Sequence, residues 1–266
     1  MQRRGEQMKA ILSTTMTLVL FFIFIFSCYG ESNAVSWYCV RKKDNTQPTL
    51  SKEFEFTKNY DLFWCDKKHQ NYSDDRKVIY LTFDAGYENG NIEKILNVLE
   101  EEGVKATFFI LDNMIIKNYG LVKRMIEQGH IVANHTMKHK DMTKMSSIEE
   151  FKNELTSLED LFEKSYGVKM KKYYRPPEGR ISEENLKWAK ELGYKTVMWS
   201  FAYADWDNGK QPSHNYALSK ILENVHNGEV MLLHPTSSTN AGIMKELIRT
   251  LKSQNFHFET VEELCK

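Results

Sequence analysis

Six polar side chains stand at or just after the ends of apolar runs: Asp84, His135, His139, Arg175, Asp205 and His234. Taken singly, each has an ordinary role. Histidines four apart are commonly surface residues, an arginine held by prolines can brace a turn, an aspartate can cap one, and a histidine before proline can sit satisfied in a core. Taken together they are a different set. Neutral imidazoles at i and i+4 in His135-Thr-Met-Lys-His139 can share one side of a helical or tightly turned segment, where they suit zinc, cobalt, nickel or manganese. A carboxylate, an arginine, a second carboxylate and a third histidine then complete the parts needed for metal-assisted hydrolysis.

The elements that must position these groups are legible from their patterning. Val78-Ile-Tyr-Leu-Thr-Phe83 is almost continuously apolar, as a parallel strand buried on both faces would be, and it delivers Asp84 into a turn bounded by Gly86, Asn89 and Gly90. A helix follows from near Asn91, with Ile92, Ile95, Leu96 and Leu99 at helical spacing. The alternation repeats. Strands are predicted at Ala106–Ile110, Ile131–Ala133, Tyr173–Tyr174, Thr196–Trp199, Val230–Leu233 and Phe256–Glu259. The helices between them are centred on Leu121–Ile126, Ser147–Tyr166, Ser182–Leu192, Tyr216–Val225 and Ala241–Lys252. Ser147 with Glu150 has the form of a capping box. About seven strands alternating with helices imply an α/β parallel sheet. Polar residues at the C-terminal ends of several strands favour a closed barrel over an open sheet, which gathers its site at one switch point.

Composition narrows the partners. Basic and acidic residues balance at 36 each, so no nucleic acid or other polyanion is expected. Residues 1–30 read as a signal peptide or membrane anchor, with Arg3, Arg4 and Lys9 ahead of the apolar run Leu18–Phe26. Cleavage after Gly30 or Ala34, or lipidation at Cys28, would each leave the protein outside the cytoplasm. Residues 31–72 hold Trp37, Tyr38, Phe54, Phe56, Tyr60, Phe63 and Trp64 without a clean period and read as a packed arm ahead of a main domain at 73–266. Cys39, Cys65 and Cys265 permit one disulfide and one free thiol, with the pairing left open.

From about Lys77 to Leu264 the chain resembles the polysaccharide deacetylases of carbohydrate esterase family 4, the NodB homology domain. The motifs that carry the resemblance occur in order as Thr82-Phe-Asp-Ala-Gly86, His135-Thr-Met-Lys-His139, Arg175-Pro-Pro-Glu-Gly179, Asp205-Trp206 and Leu232-Leu-His234. Gly86-Tyr-Glu-Asn-Gly90 and the stretch from Trp199-Ser200 to Asp205-Trp206 look most like the spore-cortex muramic acid deacetylases that lead to muramic delta-lactam. The resemblance implies a distorted (β/α)7 barrel. It implies Asp84 as general base oriented by Arg175, His234 as general acid held by Asp205, His135 and His139 as ligands of a divalent metal, and Trp206, Tyr87 and Pro176 against the sugar. It further implies zinc, with manganese or cobalt as alternatives, a peptidoglycan glycan strand as substrate, and an N-acetylmuramoyl-L-alanine amidase acting beforehand. No oligomeric state follows from it.

The chain departs from the family pattern at two positions. Ala85 stands where a second aspartate commonly supplies a third metal ligand, and Ala202 stands where many members carry another aspartate. Weak or substrate-dependent metal binding is therefore expected, with Glu88 and Asn89 better suited to the turn than to replacing the ligand. The alternatives are a chitin-oligosaccharide or xylan deacetylase, and a non-catalytic glycan-binding barrel that has lost productive metal binding.

Overall fold

The apolar run that ends in Asp84 forms the strand Lys77–Ala85, with Val78 through Phe83 all buried. It reaches two residues beyond Phe83, so Asp84 is part of the ladder and not of the following turn. The strands in chain order are β1 (Val35–Ser36), β2 (Leu62–Phe63), β3 (Lys77–Ala85), β4 (Thr107–Ile110) and β5 (Ile131–Asn134), then β6 (Tyr173–Tyr174), β7 (Arg180–Ile181), β8 (Lys195–Val197), β9 (Glu229–Leu233) and β10 (Phe256–Glu259). They belong to a computed structural model that describes Ala34–Lys266 as one compact unit. The expected export segment and Cys28 lie outside the described residues. Among the described residues, no helix is long and apolar enough to cross a membrane.

The main sheet runs β10-β3-β4-β5-β6-β8-β2, with β9 also on β3, and every one of these pairings is parallel. β10 pairs with Lys77–Tyr80 and β4 with Thr82–Ala85, so the two partners share successive lengths of β3. Beyond β8 the chain returns to β9 through a parallel bridge between Phe201 and Met231, where the Leu232 N–H donates to the Phe201 carbonyl at 2.9 Å. The sheet therefore curls round into an incomplete barrel of alternating strand and helix, the architecture expected from the sequence.

The helices cover the outside for the reasons their spacing suggested. Ile92, Ile95, Leu96 and Leu99 of helix Ile92–Glu101 are fully buried, and Phe151, Leu155, Leu158 and Phe162 form the inner stripe of helix Ile148–Tyr166. Ser147 Oγ accepts from the Glu150 N–H at 3.2 Å, but the Glu150 carboxylate turns to Ser146, so only half of the expected box forms. Gly167, at φ 71°, ends that helix in the left-handed conformation that glycine adopts without strain. A short helix, Asp112–Lys117, stands between β4 and helix Tyr119–Glu127 and was not expected.

Residues 34–72 pack against the barrel and extend its sheet. β1 pairs antiparallel with β7, and β2 pairs with β8. Trp37 and Phe54 join Ile181, Leu186 and Met198 in one apolar cluster, and Trp37 Nε1 donates to the Trp199 carbonyl at 2.9 Å. Close approach explains Gly179 in the same place: at φ 64°, a Cβ there would lie 2.5 Å from the Trp199 ring. Cys39, Cys65 and Cys265 are free thiols, and burial is the main cause that raises each of them to about 12.

Candidate active site

β3 carries Asp84 to the strand's end, where its side chain is only 10% exposed. Oδ1 accepts from Arg175 Nη1 at 2.8 Å, and Oδ2 lies 3.7 Å from His135 Nε2. Burial opposes the charge on Asp84, but Arg175, His135 and His234 outweigh it and hold the carboxyl below its ordinary pKa. It is ionised at neutral pH.

Arg175 is fully buried, and the sequence accounts for how it is held. Tyr173–Tyr174 pairs with β5 and β8, and Pro176 and Pro177 keep the next residues extended or turned. Its guanidinium donates to Asp84, to Thr82 Oγ1 at 3.0 Å and to the carbonyls of Val197 at 2.9 Å and Met198 at 3.3 Å, over the Phe109 ring at 4.1 Å. A planar fork with donors in fixed directions can do this, and an ammonium cannot.

The segment His135–His139 is turned, not helical, and no glycine marks the turn. Thr136 and His139 take φ of 74° and 55°, a left-handed conformation that costs non-glycine residues energy unless the surroundings enforce it. Asn134 Oδ1 accepts from the Thr136 N–H at 2.8 Å, Thr136 Oγ1 from the His139 N–H at 3.0 Å, and buried Glu154 from the Lys138 N–H at 3.2 Å. The two imidazoles end 5.0 Å apart between centroids. His135 Nδ1 donates to the Arg175 carbonyl at 2.9 Å, which leaves the Nε2 lone pair free, and burial pushes its pKa down to about 4. A buried neutral imidazole whose other nitrogen is anchored to a carbonyl has the chemistry of a metal ligand. His139 is exposed at the rim.

These residues fit a divalent cation through two nitrogen donors. Among the described residues, no group of three or more His, Cys, Asp and Glu side chains converges to hold a metal. Ala85 is fully buried and offers no donor. Glu88 instead accepts from the N–H groups of Gly90 at 2.6 Å and Ile92 at 3.0 Å, and Asn89 donates to the Thr236 carbonyl at 2.8 Å.

The second half of the site follows β9. His234 Nδ1 lies 2.7 Å from Asp205 Oδ1, and the His234 N–H donates to Asp205 Oδ2 at 2.8 Å. Burial alone would lower the imidazole's pKa, but Asp205 and Asp84 raise it above the ordinary value. Trp206, 61% exposed, sets its ring 6.2 Å from that of His234. Exposed Tyr87 accepts a hydrogen bond from Asn208 across the rim, and Pro176 is buried beside Arg175. Asp84, His135, Arg175, Asp205 and His234 thus come together from different strand ends, with His139, Trp206 and Tyr87 at the rim.

Sequence reasoning missed the supporting groups. Thr82, Asn134, Glu154, Tyr203 and Asn240 hold the site through the bonds described here and below, and none lies in a spacing that marks it. His226, which had no visible partner in the sequence, is buried at the other end of β9 against Ser200 Oγ at 2.9 Å and Glu229 at 3.2 Å.

Residues 71–197 match the family described as polysaccharide deacetylase. Over 86% of this chain and 85% of its own length, the peptidoglycan-N-acetylmuramic acid deacetylase PdaA of Bacillus subtilis is 35% identical. A peptidoglycan-N-acetylglucosamine deacetylase of Bacillus cereus is also 35% identical, over 71% of this chain and 89% of its own. The solved structure of Bacillus subtilis PdaA, a family 4 carbohydrate esterase, covers 88% of this chain and 97% of its own with a TM-score of 0.81.

Proposed function

The chain belongs to the polysaccharide deacetylase family and is a peptidoglycan deacetylase, and from that premise we propose that it removes the N-acetyl group of N-acetylmuramic acid, on the way to muramic delta-lactam in spore cortex. The observation that supports catalysis is the convergence of two braced pairs, Asp84 with Arg175 and His234 with Asp205, at 2.8 Å and 2.7 Å.

In this reading Asp84 and His234 divide the proton work. Water attacks the acetyl carbonyl and loses a proton to Asp84 Oδ2, the oxygen that Arg175 Nη1 leaves free. His234 holds its Nδ1 proton against Asp205 and presents Nε2 to the amide nitrogen. As the C–N bond breaks, that nitrogen takes the Nε2 proton and leaves as the free amine, with acetate as the other product. Each positioned proton transfer contributes about 10² to 10⁴ in rate. The depressed pKa of Asp84 and the raised pKa of His234 keep base and acid in opposite protonation states over a common range. His135 and His139 would hold a divalent cation, which when bound lowers the pKa of water and polarises the carbonyl.

The preference for muramic acid is motivated by Ala85. Two neutral imidazoles leave a dication uncompensated, and muramic acid carries a lactyl carboxylate that glucosamine lacks. One supporting likeness is to a deacetylase named for that sugar, and one named for N-acetylglucosamine is equally identical over less of the chain. Zinc is the expected ion, with manganese or cobalt as alternatives. Prior removal of the stem peptide by an N-acetylmuramoyl-L-alanine amidase, closure of the lactam and export across the membrane belong to the same proposal.

The test is acetate release from peptide-stripped, N-acetylmuramic-rich glycan, with and without zinc, manganese or cobalt, alongside Asp84→Asn. Release that needs metal and Asp84 is expected. Calorimetric metal titration should show binding that tightens when the muramic glycan is present. Tight metal binding without glycan, or equal turnover of N-acetylglucosamine polymers, would overturn the muramic preference. Turnover of chitin oligosaccharides or xylan alone would move the substrate. The missing third ligand at Ala85 favours one rival, a glycan-binding barrel without catalysis. Glycan binding with no acetate release under any metal would establish it.

A further inference from the structure

Asn240 lies in the first turn of helix Ser238–Ser253, six residues past His234, and its side chain is fully buried. Its place there has an ordinary explanation in the backbone, since Ser237 Oγ caps the helix by accepting from the Asn240 N–H at 3.0 Å. Its side chain does something else. Nδ2 donates to Asp205 Oδ2 at 2.7 Å and to the His234 carbonyl at 3.0 Å. Oδ1 accepts from the hydroxyl of Tyr203, itself buried.

The amide is thereby fixed in one orientation. Turned over, it would set its oxygen against a carboxylate and a carbonyl, acceptor against acceptor, and leave the Tyr203 hydroxyl facing an NH2 group. Asp205 Oδ2 receives two donors, the His234 N–H at 2.8 Å and Asn240, which commits Oδ1 to His234 Nδ1. A carboxylate that cannot rotate holds the imidazole in one tautomer, with Nδ1 protonated and Nε2 toward the cleft.

We propose that Asn240, oriented by Tyr203, is a positioning residue for the deacetylation: it locks the Asp205 carboxylate so that His234 keeps its tautomer and its direction. The proposal rests on the function given above in taking His234 as the acid. The groups that face His234 are Asp205, Asp84 and Arg175, and Asn240 acts on the first of them.

Asn240→Leu keeps the volume and removes the donors, and Tyr203→Phe removes only the hydroxyl that orients the amide. The Asn240→Leu enzyme should lose about 10² in kcat with KM changed by less than about threefold, the signature of a displaced catalytic group. Tyr203→Phe should lose about tenfold in kcat in the same pattern. The second readout needs no turnover: the wild-type chain should show a solvent-protected downfield Nδ1–H proton resonance from the His234–Asp205 bond, which Asn240→Leu loses. Folded Asn240→Leu with kcat within about twofold of wild type, or with the Nδ1–H signal intact, would overturn the proposal. If Asn240→Leu does not fold, Tyr203→Phe carries both readouts by the same criteria. A wild-type chain that binds glycan without releasing acetate would end the catalytic reading, and the resonance would still decide whether Asn240 locks Asp205.

Discussion

Arg175→Met should be the substitution that most damages both stability and activity. Methionine fills much of the volume but offers no donors. In the folded chain it would leave Asp84 Oδ1, Thr82 Oγ1 and the carbonyls of Val197 and Met198 without the bonds that Arg175 makes to them. Breaking a buried ion pair by removing one partner costs about 3–5 kcal/mol, because the remaining charge is uncompensated. A urea m value of about 2–3 kcal/mol/M turns that into a midpoint lowered by about 1–2.5 M, readable by tryptophan fluorescence. The cause can be isolated with Asp84→Asn. If the orphaned carboxylate is what destabilises, the double substitution will cost less than the sum of the singles by about 1–3 kcal/mol. The pH dependence has a definite sign. Arg175 holds the Asp84 pKa below its ordinary value, so the pair's contribution is present above that ordinary value and fades as pH falls through the folded one. Wild type and variant should therefore converge in stability toward low pH. Additivity within about 0.5 kcal/mol, or a loss under about 1 kcal/mol for Arg175→Met, would refute this account of the pair.

Asp205→Asn removes the group that raises the His234 pKa. The alkaline limb of kcat/KM, where the acid loses its proton, should move to lower pH, with a loss of about 10² or more in rate. An unmoved limb would show that His234 is not the acid. Chelation should abolish acetate release reversibly, and His135→Ala should weaken calorimetric metal binding by at least about tenfold. Unchanged metal binding in His135→Ala would take the ligand role from it. Glu229 is fully buried and burial holds its pKa well above the ordinary value, so the folded chain keeps a proton that the unfolded chain releases. Stability should fall as pH rises from about 4.5, and Glu229→Gln should flatten that slope. Gly179→Ala should destabilise by about 1–3 kcal/mol, measured by thermal melting, because φ is 64° and the new Cβ would meet the Trp199 ring at 2.5 Å.

Much of the barrel was legible because buried parallel strands and amphipathic helices leave strong periods. Val78–Phe83 and Phe151–Phe162 could be read from apolar spacing alone, and Asp84, Arg175 and His234 stood out as polar groups at the ends of such runs. What escaped depends on tertiary pairing or on neutral side chains. β2 has only Leu62 and Phe63, too few for any period, and it becomes a strand because β8 offers it an edge. The turn at His135–His139 uses left-handed backbone at Thr136 and His139 without a glycine to announce it, since Asn134 and Glu154 enforce it from elsewhere. Asn240 reads in sequence as one polar residue in the first turn of a helix, and its bond to Asp205 spans 35 positions.

Arg175 also explains why the barrel can close where its strands are weakest. β6 has two residues and β8 three, so the ladder between β5 and β8 is short. Arg175 continues it beyond the strands' ends: its N–H donates to the Asn134 carbonyl at 3.0 Å, its own carbonyl accepts from His135, and its guanidinium reaches Val197, Met198 and Thr82. One residue therefore bonds to the end of β5 and the residue after it, to β8 and to β3, and replaces ladder bonds that short strands cannot make. The direction of Asp84 is set by the same residue that seals the sheet. It follows that a substitution at Arg175 loses the bonds that seal the sheet as well as the charge pairing, whereas Asp84→Asn leaves the guanidinium an acceptor and all its carbonyl bonds, and loses the pairing alone. Acetate release lost in both variants, with a distinctly smaller stability loss in Asp84→Asn than in Arg175→Met, is the pattern that this shared role requires.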